Sequence, residues 1–249
     1  MFELYVYLLT FFVAIIASVV GTISGGGALI AFPFLLFIGL EPKVAIAIMI
    51  VSTLGIAVGA IPNFVRKKKI IWDKIIPFTL LGILGAFIGS NLLINLNEEF
   101  FSKIIAFILI LLLCIFFINK DFGIKEIKKS KKNNLFGYVI YFLLAIYSSF
   151  FGVASGTFII YCLVYFFGMT FIQANATDLF VLFFVSFTAF LVFAYNGILE
   201  YSILAIFLFG TVIGGHIGSS IAIKKGEKWV KIVIFVVMII TILKLLLYN

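Results

Sequence analysis

Apolar runs long enough to cross a lipid bilayer fill nearly the whole 249-residue chain. A helix needs about 20 residues to cross a hydrocarbon core of roughly 30 Å. With 65% hydrophobic and 11% charged residues, a soluble domain of this size could not bury its apolar surface. Stretches such as 104–118 are apolar on every side, which argues against membrane-spanning strands. The sequence therefore predicts an all-α polytopic membrane protein.

Ten apolar segments follow one another along the chain, and two of them are conspicuously short. The segments are 4–23, 27–40, 43–64, 72–95, 101–119, 135–154, 156–168, 172–195, 201–223 and 229–247. The short ones are 27–40 and 156–168, and each follows a Ser/Gly break. Helix-breaking residues at membrane depth need a reason, because every backbone polar group in hydrocarbon requires a partner.

The segment pattern repeats at an offset of 129 positions. At this offset "GAFIGSNLLI" falls on "GGHIGSSIAI", with Gly85 on Gly214 and Gly89 on Gly218, and both short segments occupy the same place. We therefore expect two repeats of about five hydrophobic segments each. The expected division is an N-terminal transmembrane repeat at 1–119, a cytoplasmic basic linker at 120–134 and a C-terminal transmembrane repeat at 135–249.

Lysine and arginine cluster in short loops at segment ends, chiefly Arg66–Lys69, Lys120–Lys132 and Lys224–Lys231. Cytoplasmic loops carry such an excess. If each short segment changes sides, the repeats are inverted; with the N-terminus outside, fifteen of the eighteen Lys and Arg then lie at the cytoplasmic face. If the short segments return to the same side, the repeats are parallel. Charge favours inverted repeats in the cytoplasmic membrane, with the N- and C-termini outside.

The two Ser/Gly breaks predict a ligand site. A helix that begins in mid-membrane leaves its first N–H groups unbonded and partly positive. An anion can accept hydrogen bonds from these groups and balance their charge. Inverted repeats would bring the two helix starts together near the midplane. The expected substrate-binding residues are Ser24, Gly25, Gly26, Gly27, Ser155, Gly156 and Thr157. The alternative is that these glycines only permit tight turns or close helix packing.

These residues resemble the sulfite exporter TauE/SafE family. The resemblance rests on the early glycine run, on "FPFLLFIG" with Pro33 and Gly39, on Ala45, and on a basic link that leads to Trp72 and "GILGAFIGS". It extends over nearly the whole chain, in both halves. It implies a carrier in a prokaryotic cytoplasmic membrane that moves sulfite, sulfonates or related small organosulfur anions.

The chain departs from the pattern of that family in two places. The second half reads "GVASGTF" where the glycine run is usually repeated, with Ala154 and Ser155 in place of glycines. The Thr-Ser pair expected after the alanines reads Ile48-Met49 in the first half and Thr177-Asp178 in the second. These departures bear on the substrate more than on the fold.

Few polar side chains lie inside the apolar segments. Asp178 is the one carboxylate well inside a segment, next to Asn175 and Thr177, and His216 is the sole histidine. Intramembrane ionisable residues are costly and commonly functional, so these four residues are candidates for proton coupling or the substrate pathway. The alternatives are a hydrated carboxyl in a vestibule and a histidine that only packs. No metal-ligand cluster is evident, and we expect no metal and no cofactor.

The sequence as a whole predicts a secondary transporter that moves a small sulfur-containing anion by alternating access, and not an enzyme. Its partners would be this anion and the lipid bilayer. The net charge of +8 resides in loops at helix ends, so no nucleic acid is expected. Two alternatives remain open: a membrane-embedded enzyme, and a cation carrier or channel that uses Asp178.

Overall fold

The computed structural model describes residues 2–95, 134–153, 155–233 and 236. Its helices are α1 Phe2–Ser24, α2 Ala28–Phe37, α3 Pro42–Arg66, α4 Ile75–Asn95, α5 Asn134–Phe150, α6 Ser155–Phe167, α7 Phe171–Tyr195 and α8 Tyr201–Lys225, with a 3-10 turn at Trp72–Lys74 before α4. The predicted segment 101–119, nearly all of the linker 120–134 and most of segment 229–247 lie outside the described residues. Within the described residues, five helices are long and apolar enough to cross a membrane. The protein is therefore a multi-pass membrane protein with an all-α fold.

The repeat seen in the sequence reappears in the positions of the helix ends. Helices α3 and α7 have 25 residues each, and their first residues, Pro42 and Phe171, are equivalent at the offset of 129. The turn before α4 begins at Trp72 and α8 begins at Tyr201, again equivalent positions. The described helices of the two chain halves thus follow one another in the same order.

Contacts between the halves fix the relative directions of the long helices. Gly55 of α3 lies against Thr211 of α8, and further along Gly59 lies against Val212 and His216. Because the contacts advance together along both helices, α3 and α8 point the same way. Lys43 Nζ at the start of α3 donates to the Ile94 carbonyl at the end of α4, at 3.2 Å, so α4 runs opposite to α3.

A second set of contacts between the halves gives the direction of α7 relative to α4. The Ile71 amide before α4 donates to Thr177 Oγ1 near the start of α7, at 3.1 Å. Further along the two helices, Gly82 of α4 lies against Val185 of α7. Helices α4 and α7 therefore point the same way.

The two halves pack against each other through helix faces lined with glycine. The first helix of each half, α1 or α5, lies on such a face of the other half. On α8, Gly210 and Gly218 face α1, where a Cβ atom would lie 2.7 Å from Ala14 Cβ and 2.8 Å from Thr22 Cβ, respectively. On α4, Gly85 and Gly89 face α5 in the same manner. Small residues allow such close backbone approach in membranes. The first helix of each half thus packs on the last of the described long helices of the other, and the halves are interleaved.

Candidate functional site

The first Ser/Gly break is a tight reversal between α1 and α2. The hydroxyl of Ser24 donates to the Val20 carbonyl at 2.9 Å and accepts from the Gly26 amide at 3.3 Å. Gly25 has φ +74, a left-handed conformation that favours glycine. A Cβ atom on Gly27 would lie 2.3 Å from the Ala17 carbonyl oxygen. Helix α2 can therefore fold back along α1 only because these positions lack side chains.

The second break builds the same reversal with fewer glycines. The sequence predicts an apolar segment to residue 154, but α5 ends at Phe150, because Gly152 turns the backbone with φ +73. The Ser155 hydroxyl donates to the Gly152 carbonyl at 2.9 Å and accepts from the Ser148 hydroxyl at 3.1 Å. Helix α6 then folds back along α5, and Cys162 Sγ near its end lies 3.7 Å from the Gly137 carbonyl near the start of α5.

The structure brings the two breaks into direct contact. A Cβ atom on Gly25 would lie 2.3 Å from the Gly156 carbonyl carbon and from the Thr157 nitrogen. The hydroxyl of Thr157 donates to the Ser24 carbonyl at 2.7 Å. This bond joins the end of α1, at the first break, to the start of α6 across 133 positions of sequence.

A cavity of about 80 Å³ lies beside this contact, which is space for several water molecules or one small ligand. Its walls come from the ends of α1 and α5, the starts of α2 and α6, and the middle parts of α3, α7 and α8. The polar residues and break glycines that line it are Ser18, Gly25, Gly27, Ser52, Thr53, Ser148, Gly152, Ser155, Gly156, Asn175, Asp178, Ser186 and Thr211. Two helix starts and a series of hydroxyl groups thus face one small space.

Backbone amides at both helix starts that reach this cavity have no acceptor. Among the described residues, nothing accepts a hydrogen bond from the amide of Gly27 or from that of Gly156. Both glycines line the cavity, and they are equivalent at the offset of 129. An amide at the start of a helix carries partial positive charge. A pair of such groups is a suitable donor set for an anion.

Asp178 is the single ionisable side chain among the described residues that line the cavity. It is 3% exposed, and its Oδ1 atom makes no hydrogen bond with any described residue. Asn175, one turn earlier on α7, also lines the cavity and donates through Nδ2 to the Thr22 carbonyl of α1. Asp178 therefore lines the same cavity as the two glycines with unbonded amides.

Five of the residues predicted for the site do not line the cavity. Ser24, Gly26 and Thr157 form the hydrogen bonds that shape the breaks. The hydroxyl of Thr177 accepts from the Ile71 amide. His216 is exposed on α8, with its ring near the Asn63 amide. These residues support the breaks or pack elsewhere, whereas Gly25, Gly27, Ser155, Gly156, Asn175 and Asp178 meet at the cavity.

Several hydroxyl groups at the cavity were not predicted from the sequence. Ser148, Ser186 and Thr211 lie on three different helices, and nothing in their local sequence indicates that they converge. Ser52 and Thr53 of α3 also line the cavity, and each donates to a carbonyl three residues earlier in its own helix.

Known proteins similar to this chain are membrane transporters by name. The family model described as "Sulfite exporter TauE/SafE" matches residues 10–245. A "Probable membrane transporter protein" of Haemophilus influenzae is 25% identical over 221 residues, covering 89% of this chain and 87% of its own length. "Probable membrane transporter protein YfcA" of Escherichia coli K12 is 24% identical over 236 residues, covering 95% and 88%, respectively. No solved structure matches this chain.

Proposed function

The chain belongs to the sulfite exporter TauE/SafE family, a family of membrane transporters and not of enzymes, and from that premise we propose a specific substrate class and mechanism. The protein is proposed to carry a small sulfur-containing anion, such as sulfite or a sulfonate, across the cytoplasmic membrane by alternating access. The substrate would bind in the cavity between the two Ser/Gly breaks.

One observation carries this proposal. Gly27 and Gly156, whose amides have no acceptor, lie at the starts of α2 and α6 and line the same cavity. Amides without an acceptor are unfavourable away from water, and an oxyanion bound in the cavity would give them one. The hydroxyl groups of Ser52, Thr53 and Thr211 also belong to residues that line the cavity; each now donates to a backbone carbonyl and would have to rotate away from it to donate to an oxygen atom of a sulfite or sulfonate group.

The directions of the helices support alternating access. Helices α3 and α7 are equivalent in the repeat. Helix α7 points the same way as α4, and α4 runs opposite to α3, so α3 and α7 point in opposite directions. These directions fit inverted repeats at 1–119 and 135–249, the arrangement in which one half rocks against the other around a central site. The glycine faces between the halves would be the surfaces that move.

The charged loops support the proposed orientation. The Ile172 amide donates to Glu227 Oε2 at 2.9 Å. Burial raises the pKa of this carboxyl group, and Lys69 of the other basic loop partly offsets the effect. The loops Arg66–Lys69 and Lys224–Lys228 therefore lie at the same face, which we assign to the cytoplasm by their charge. The termini would then lie outside.

A cation carrier is the competing function, because Asp178 places a carboxyl group in the cavity. The two functions differ in the charge of the ligand that stabilises the protein. No lysine or arginine of the described part of the chain lines the cavity, so an anion would rely on amides and hydroxyl groups alone.

A thermal-shift screen of the purified protein tests this proposal. The ligands are sulfite, thiosulfate, sulfate, methanesulfonate, lactate and plain chloride salts. A specific ligand raises the melting temperature by binding the folded state, and we expect sulfite or methanesulfonate to do so above the chloride control. Saturable uptake with counterflow in liposomes would then establish carriage. Stabilisation by cations alone would refute the anion site and favour the competing function.

A further inference from the structure

Asp178 stands in an unusual position for a site that is proposed to hold an anion. It is buried, it lines the cavity, and its Oδ1 atom has no hydrogen-bond partner among the described residues. An ionised carboxyl group there would be an uncompensated buried charge, which is strongly unfavourable. Next to a bound anion it would be still less favourable, because like charges repel in a medium of low dielectric constant.

No neighbouring helix supplies a positive charge to Asp178. The titratable groups that face it are Tyr141 of α5 and Cys162 of α6, which are neutral at neutral pH in their ordinary forms. Helix α4 has no ionisable residue. The ionisable residues of α3, Lys43 and Arg66, lie at its two ends.

The remaining ionisable groups of the described helices also lie away from the cavity. On α1 they fall within residues 3–7, at the far end from the break. On α8 the exposed His216 does not line the cavity. The cavity therefore combines unbonded amides at two helix starts with one carboxyl group and no full positive charge among the described residues.

From this arrangement, and resting on the function proposed above, we infer that the anion binds together with one proton held on Asp178, and that the site selects singly charged anions. The Gly27 and Gly156 amides accommodate one negative charge. The protonated carboxyl group then has an O–H to donate, so the orphaned acid gains an acceptor on the ligand. A doubly charged anion, or an anion beside ionised Asp178, would leave negative charge that nothing in the lining compensates.

The test uses two probes whose charge does not change near neutral pH, methanesulfonate with one negative charge and sulfate with two. Wild-type protein is titrated with each probe by calorimetry in two buffers of different ionisation enthalpy, which counts the protons taken up. We expect uptake that approaches about one proton per methanesulfonate as the pH rises, and an affinity that falls by up to about tenfold per pH unit. Sulfate should bind much more weakly.

Two variants assign the proton. Asp178→Asn keeps the shape and the neutral charge of the protonated acid, so it should bind methanesulfonate without proton uptake and with little dependence on pH. Asp73→Asn removes an exposed carboxylate before α4 and should keep the wild-type pH dependence. Proton uptake by the wild-type protein tests the inference even if one of these variants fails to fold.

The outcomes separate this inference from the proposed function. If sulfite stabilises the protein but methanesulfonate does not bind between about pH 5 and 9, the anion site stands and the inference is wrong. It is equally wrong if methanesulfonate binds without proton uptake, if sulfate binds as tightly, or if Asp178→Asn retains the pH dependence. If none of the anions binds, the proposed function and the inference both fail.

Discussion

Helices α3 and α7 occupy equivalent places on two sides of one cavity, but they present different chemistry to it. Met49 of α3 and Asp178 of α7 are equivalent at the offset of 129, and both line the cavity. Ile46 and Asn175 are likewise equivalent; Ile46 packs in a buried apolar cluster, whereas Asn175 lines the cavity. The difference shows that a repeated backbone can carry its ionisable chemistry in one half alone.

The polar residues of α7 have distinct partners. The Asn175 side chain bonds to the Thr22 carbonyl, and the Thr177 hydroxyl accepts from the Ile71 amide, so both bind backbone of the first half. Asp178 has no such bond at Oδ1. Of Asn175, Thr177 and Asp178, the first two therefore join the halves, and Asp178 lines the cavity without such a bond at Oδ1.

The largest effect is expected where the two halves touch, at Gly25. In Gly25→Ala the new Cβ atom would lie 2.3 Å from the Gly156–Thr157 backbone, at a residue whose φ is +74. We expect a loss of stability of about 3 kcal/mol or more and loss of anion uptake into liposomes. Thermal denaturation in detergent and the uptake assay measure the two effects.

Gly39→Ala is the matched control for Gly25→Ala. Gly39 also has positive φ, at +92, but a Cβ atom there would meet nothing within 4 Å. It should cost only about 1 kcal/mol for the backbone conformation, with uptake retained. Equal losses of stability and uptake in both variants would mean that the contact between the breaks does not hold the two halves together.

An intermediate effect is expected from adding a second carboxyl group to the cavity at Met49. Met49→Asp places a second carboxyl group opposite Asp178, and two unpaired carboxylates in one site repel each other and an anion. Anion uptake at neutral pH should fall about tenfold, whereas Met49→Asn should retain more of it. Initial rates of uptake into liposomes measure the effect.

The double variant Met49→Asp with Asp178→Met sharpens the comparison, since it returns the site to one carboxyl group on the opposite wall. We expect faster uptake than in Met49→Asp alone, which would show that the two positions couple through the same ligand. Unchanged uptake in Met49→Asp would mean that the α3 side does not face the substrate.

The smallest effect is expected at Thr157, whose hydroxyl donates to the Ser24 carbonyl at 2.7 Å. Thr157→Val keeps the shape and removes this bond between the breaks, so the free energy of unfolding should fall by about 1 kcal/mol. Thr188→Val removes an exposed hydroxyl that bonds within its own helix and should change little. Equal melting temperatures for both variants would mean that this bond does not hold the halves together.

Much of the fold could be predicted from local sequence. Helices α1 to α8 fall where the apolar runs and the Gly or Pro residues between them predict helices, and the repeat predicts that α3 and α7 begin at equivalent residues. Of the predicted site residues, the break glycines Gly25, Gly27 and Gly156 and the buried Asp178 reach the cavity. Thr157 and Thr177 have the same local signal but bind backbone, and nothing in sequence spacing separates these two cases.

The sequence by itself determined that this protein spans a membrane, where its helices break and that its halves repeat, because hydrophobic length and glycine punctuation are local properties of the chain. Only the tertiary structure decided that the two breaks touch and that Asp178 shares a cavity with Ser148, Ser186 and Thr211. These residues are brought together by close packing of glycine faces between interleaved halves. Such packing depends on how helices far apart in the sequence fit together in space, and no single stretch of sequence predicts this fit.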